Sequence, residues 1–348
     1  MQLLEQLAMD RCTNSTLESI TTEYASICGY VECMSELCES EVLFESISVK
    51  DIVKAVCDVI IGLFGKIKKL GMKIISFLKS KMSWFTARGK NHSNNKFEED
   101  LKNEETKSEK IKDILNKNPY TGPHPYGIMD GLFNIKLFVE HGVEYTVKQC
   151  DISLEMINEV LSGERTFSDN FKERYEDFFS NPSKKIYSDI ADVKNTEKLK
   201  GILNGPNDIP KALEILYKDE FSDGRYCDKK VLGRDDIRWF SEDIAKVSSD
   251  IASMLQNMVT TFQRNVDYCN KKSTEVEAMI KKLDSSTNEE YDDFLQKFMT
   301  YTMNEFIIAA NMNTSSLAAI PNILNVATKD VETVQTYLKF IKAKIDSV

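Results

Sequence analysis

Three histidines, eight cysteines and a few paired carboxylates are the residues of this 348-residue chain with the chemistry for catalysis or metal binding. Their spacing argues against both. His92 falls in a charged stretch, His124 in the turn-forming run Thr121 to Gly127 (TGPHPYG) and His141 just before Gly142, and no two lie four apart around a Glu as a helical zinc site requires. Cys28, Cys33 and Cys38 are five apart, so successive thiols turn about 140° around a helix and cannot converge on one ion. With Cys12, Cys57, Cys150, Cys227 and Cys269 they are expected to be buried free thiols in a reducing compartment. Asp235-Asp236 and the cluster Glu289, Glu290, Asp292, Asp293 stand where helices should begin, and there they answer the positive end of the helix dipole. The chain has no GxxxxGK[ST], no GxGxxG after a strand and no GxSxG. A non-enzymatic protein with no metal, cofactor or small-molecule substrate is therefore expected.

The informative pattern is one of charge. From Lys50 to Lys90, ten Lys and Arg residues face only Asp51 and Asp58, a net of +8, whereas residues 1–49 hold nine acids and only Arg11, a net of −8. Apolar residues at Ile52, Val56, Val59, Leu63, Ile67, Leu70, Ile74 and Phe77 recur at steps of three and four, so the basic stretch predicts an amphipathic helix. Its longest run without a charge is seven residues, Val59 to Gly65, far short of the ~20 a membrane span needs. Gly62, Gly65 and Gly71 would each weaken an isolated helix, which predicts a kink or ordering against a partner. The apolar face has three available destinations: the protein's own core, a membrane surface, or, for the lysines, the phosphates of a polyanion. Lys54, Lys66, Lys68, Lys69, Lys73, Lys79 and Lys81, with Trp84 and Phe85 at the end, are the candidate membrane or polyanion contacts.

Around this segment the chain reads as mainly α. Residues 1–45 form an acidic helical leader, with a stripe through Leu17, Ile20, Tyr24 and Ile27 continuing to Val31, Met34, Leu37 and Cys38, and opposite charge predicts that it masks the basic helix of 46–88. Residues 89–119, rich in Lys, Asn, Glu and Ser, read as a charged linker. Residues 120–233 read as a small, mostly helical middle domain. Within it, Leu132 to Val139 and Val143 to Val147 fit either a β-hairpin turning at His141-Gly142 or a helix. Residues 234–348 predict a long three-helix antiparallel bundle with coiled-coil periodicity, its breaks at Ser285 to Asn288 and Asn311 to Ser316 and Pro321 in the first turn of the third helix. The acidic opening MQLLEQLAMD predicts no secretory signal, and no transmembrane helix is expected. The formal net charge of −10 argues against a general nucleic-acid binder and leaves the basic stretch as the exception.

An acidic leader, then Leu43-Phe44-Glu45 followed by Ser46, then a basic segment, resembles the internal head or prohead-core proteins of large tailed bacteriophages. Leu3-Leu4-Glu5 fits the same apolar-x-Glu motif, and Ile157-Asn158-Glu159 repeats it within a helical pattern. The resemblance covers the first ninety residues or so. It implies a virion structural protein, made in the host cytoplasm and housed in the virion interior among other virion proteins or capsid, whose acidic leader is removed by a maturation protease. It places the cut after Glu45. The alternative from another class is an α-helical membrane-active or pore-forming protein.

Overall fold

In the computed structural model, residues 17–29, 49–93, 108–161, 208–219, 226–284 and 293–347 are described. They form seven helices and one two-stranded antiparallel sheet: α1 (17–29), α2 (Val49–Ser93), α3 (Ser108–Lys117), β1 (Tyr120–Pro123), α4 (Pro125–Leu161), α5 (Ile209–Asp219), β2 (Tyr226–Lys230), α6 (Arg234–Asp284) and α7 (Asp293–Asp346). The protein is mainly helical, as its composition and periodicity predict. Two compact units are assembled from interleaved stretches: Met1–Ile75, Leu137–Pro210 and Thr261–Ala319 make the first, and Ser76–Lys136, Lys211–Thr260 and Ile320–Val348 the second. The four long helices α2, α4, α6 and α7 contribute residues to both.

The basic stretch is one unbroken helix through all three of its glycines. Val53, Val56, Val59, Ile60, Leu63, Phe64, Ile67, Leu70, Ile74 and Ile75 are buried in the first unit, and Phe77, Leu78 and Phe85 in the second. Burial on this scale outweighs the roughly 1 kcal/mol that each glycine costs. Gly71 has a packing reason: a Cβ there would lie 2.9 Å from Cγ2 of Val266 on α6. At Gly71 the missing side chain permits close approach of α6.

Two readings of the sequence are corrected. The hairpin alternative fails because Leu132 to Val147 lies inside α4, whose buried positions Ile128, Leu132, Ile135, Val139 and Val143 keep helical steps. The β-branched residues there serve packing rather than a strand. The three-helix division of 234–348 fails at Asn311 to Ser316, where α7 continues without interruption and carries Pro321 in its interior. Asn313, Thr314, Ser315 and Ser316 are all buried, so four successive residues, covering every face of the helix, meet neighbours. A run of small polar residues that reads as a turn is here enclosed helix from Asn313 to Ser316. The predicted break at Ser285 to Asn288 lies outside the described residues.

In the second unit, the Pro-rich turn becomes a strand and a helix start. Tyr120 is buried, its ring edge-on to Phe240 at 5.4 Å and tilted against Tyr337 at 4.8 Å, and its hydroxyl donates to the carbonyl of Pro123 at 2.9 Å. The intervening Gly122 has φ +156° and lies so close to the Tyr120 ring that a Cβ would meet the hydroxyl oxygen at 2.5 Å. No other residue fits. Pairing of Tyr120 with Lys230 and Pro123 with Tyr226 closes the sheet, with an irregularity between Tyr120 and Gly122.

Three buried hydroxyls on the long helices, Thr146, Ser248 and Thr328, donate to the carbonyl one turn earlier. Gln335 differs. It is buried, and among the described residues neither its amide nitrogen nor its side-chain oxygen has a hydrogen-bond partner. An unsatisfied buried polar group costs about 1–3 kcal/mol, so Gln335→Leu is expected to raise the unfolding free energy by that order, read as a higher denaturation midpoint at unchanged slope. A drop in midpoint would show that the amide has a partner.

Asp330 supplies a pH dependence. Burial raises its carboxyl above the usual range, while the hydrogen bond from the Tyr217 hydroxyl (2.8 Å) and the charge of Lys218 pull it partly back. Because the folded value exceeds the unfolded one near 4, the folded state binds the proton more tightly. That stabilisation is complete below the unfolded value and is lost as pH rises through the folded one. Asp330→Asn is therefore expected to gain stability over the parent at pH 7 and to lose that gain on acidification to pH 4, in denaturation curves taken across the range. A difference independent of pH would overturn the assignment.

Candidate functional site

The described part of the acidic leader is α1, and it packs within the first unit. Leu17, Ile20, Tyr24 and Ile27 fall on one side at steps of three and four, and Ile20 and Ile27 are 2 % and 0 % exposed. A helix this short is marginal in water by itself, so its order derives from docking. Glu18, Thr21, Thr22, Ala25 and Ser26 remain on the outer side.

Polar contacts fix its position on α2 and α7. Lys73 Nζ donates to Glu23 Oε2 at 2.9 Å and to the Ser19 carbonyl at 3.1 Å. Two turns earlier on α2, Lys66 Nζ donates to Ser26 Oγ at 2.7 Å and reaches the Ser26 carbonyl at 3.4 Å. The Tyr24 hydroxyl shares a hydrogen bond of 2.9 Å with Ser315 Oγ on α7, and burial raises the phenol's pKa, keeping it protonated. Lys66 and Lys73, seven residues apart, thus meet Ser26 and Glu23 with Ser19, so the two helices run against each other in opposite directions. Contact between the acidic and basic segments is accordingly real, and among the described residues of the two segments Lys73 with Glu23 is its ion pair.

Magnitudes rank these anchors. Burying an isoleucine contributes about 1.5–3 kcal/mol. A partly exposed ion pair, such as Lys73 with Glu23 at 31 % and 17 % exposure, contributes at most about 1 kcal/mol. The apolar seam therefore holds α1, and the ion pair selects its register.

The predicted contact residues are dispersed. Lys54, Lys69 and Lys79 are exposed, Lys66 and Lys73 are engaged by α1, and Lys68 is half-buried beside Cys269. Lys81 is buried, donating to Thr328 Oγ1 at 3.4 Å with its Nζ 5.6 Å from the centre of the Phe77 ring. Phe85 is completely buried, and Trp84 is half-buried beneath the Arg88 guanidinium at 5.1 Å. Lys81 and Phe85 are therefore core groups and not surface contacts, because their helix positions fall on the inward stripe. Among the described side chains of α2, Met72 is the one large apolar group exposed. The candidate cleavage residues Leu43, Phe44, Glu45 and Ser46 lie outside the described residues, in the nineteen-residue link 30–48 between α1 and α2.

Other groups with chemical potential are held in packing and hydrogen-bond networks. Burial pushes the Cys57 and Cys269 thiols up to about 12 and the Cys150 thiol well above its ordinary value, so none supplies a thiolate at neutral pH. Tyr268 on α6 donates to Asp151 on α4 at 3.0 Å, and Lys272 bridges Asp151 and Glu275 at 2.8 Å each. Burial works against the Lys272 charge, but its two carboxylate partners raise its pKa overall. This network fastens α4 to α6. His124 accepts from the Tyr126 backbone N–H at 3.3 Å and stacks on the Tyr126 ring, and Asp236 accepts from the Gly233 N–H at 2.8 Å as a helix cap. Among the described residues no group of three His, Cys, Asp or Glu side chains could hold a metal ion, and no helix is long and apolar enough to cross a membrane.

Comparisons of the chain with known protein families, curated proteins and solved structures find no match.

The seam and the ion pair generate a graded expectation. Ile27→Asp should undock α1, seen as fast amide exchange over 17–29 with protection elsewhere retained, whereas Glu23→Gln should raise exchange there only several-fold, in line with a loss of at most about 1 kcal/mol. Equal effects from the two substitutions would reverse the ranking.

Proposed function

We propose that this is a non-enzymatic structural protein of the phage head interior in which α1 covers part of the basic helix until the leader is cut away. The observation that carries the reading is the seating of Ser19, Glu23 and Ser26 on Lys66 and Lys73. While the link 30–48 is intact, α1 faces its seat at the high effective concentration of an intramolecular contact. Cleavage after Glu45 makes the same contact bimolecular, and dilution then favours release. Burial of the apolar face of α2 defines what release means. The helix stays in its core, and Lys66 and Lys73 become available to other virion proteins or capsid.

Mass spectrometry of the protein from mature particles tests the processing step. The expected species begins at Ser46. A chain still starting at Met1 or Gln2 would remove cleavage from the proposal.

A further inference from the structure

We infer that the seat of α1 is a docking groove for an acidic amphipathic helix of another protein, and that α1 occupies it as an intramolecular stand-in. The inference rests on reading α1 as a removable cover. What the groove must accept is written in its present occupant: two β-branched apolar side chains two turns apart, Ile20 and Ile27, both buried, with Glu23 and Tyr24 between them. Each has its counterpart in the seat, Lys73 for the carboxylate and Ser315 for the ring hydroxyl, and Lys66 for the polar group near the far end.

This specification separates the ligand classes. Nucleic acid could meet Lys66 and Lys73 through phosphate, but it would leave the recess vacated by Ile20 and Ile27 exposed to water. A membrane surface needs a broad apolar face, and α2 keeps its own in the core, exposing only Met72 among its large apolar side chains described. A helix with apolar residues at i and i+7 and a carboxylate between fills both parts of the seat. Helix-in-groove recognition commonly has this form, with apolar anchors along one face.

The test uses the full chain with its own α1 disabled. Ile20→Asp with Ile27→Asp should leave the groove open, and a fluorescent peptide of residues 15–30 is titrated against this variant and against the parent chain. Saturable binding to the variant at least about tenfold tighter than to the parent, whose seat is filled, is the expected result. Adding Lys73→Glu should weaken the peptide about tenfold, and a peptide carrying Glu23→Lys should restore binding to that charge-reversed groove, a rescue that general destabilisation cannot mimic. Should the double Asp substitution unfold the chain by circular dichroism, Ile20→Ala with Ile27→Ala replaces it. Failure of the opened chain to bind the peptide, equal binding to opened and parent chains, or tighter binding to a DNA duplex or to phosphatidylglycerol vesicles than to the peptide would each overturn the inference. The N-terminus found in mature particles is a separate result: an intact leader with a functional groove would end the processing proposal and leave the docking site standing.

Discussion

Burial of the apolar face of α2 is the constraint on which the rest depends. From Val53 to Phe85 that helix turns one stripe inward, and both compact units draw on it for part of their cores. A segment that looks like a free membrane-active peptide is committed to the interior, which leaves Lys54, Lys69 and Lys79 exposed and draws Lys81 inward. That geometry limits the basic helix to polar exchange at its surface. It also explains why a leader of opposite charge can sit on it without being part of the deep core: α1 contributes a seam of Ile20 and Ile27 and a few polar anchors, enough to be ordered and little enough to be replaceable.

Much of the architecture was legible because it rests on periodicity. The stripes of α2 and α6, the stripe of α1 and the scarcity of Gly and Pro all translate directly into helices. What periodicity could not resolve was where one helix stops. Asn313 to Ser316 carry the letters of a turn, yet their small side chains are what allow neighbours to approach on every side of α7, and tertiary enclosure outweighs local preference. The choice between hairpin and helix at Leu132 to Val147 was undecidable for a related reason, since Val and Ile serve either geometry and only the partners of Ile135, Val139 and Val143 settle it.

The contact of acidic and basic segments was foreseeable from net charge, but its chemistry was not. Opposite totals of −8 and +8 suggest a web of ion pairs. At the described contact one carboxylate is used, and the remaining anchors are a serine hydroxyl, a main-chain carbonyl and a tyrosine meeting Ser315 from the far end of the chain. Contacts spanning nearly three hundred positions leave no local signal. The same holds for Lys81 and Phe85, where a charge and a ring that look like surface anchors are drawn inward by their phase on the helix.

The interleaving of the two units has a consequence for how the protein is made. Each needs residues from the final third of this sequence, Thr261–Ala319 for one and Ile320–Val348 for the other, so neither core can close until those late stretches have been made. During that interval the apolar stripe of α2 has emerged from the ribosome without its permanent neighbours. Its earliest available companion is α1, which precedes it by nineteen residues and offers both isoleucines and a carboxylate. α1 and α2 are therefore neighbours on the growing chain well before Ser315, the α7 partner of Tyr24, has been made.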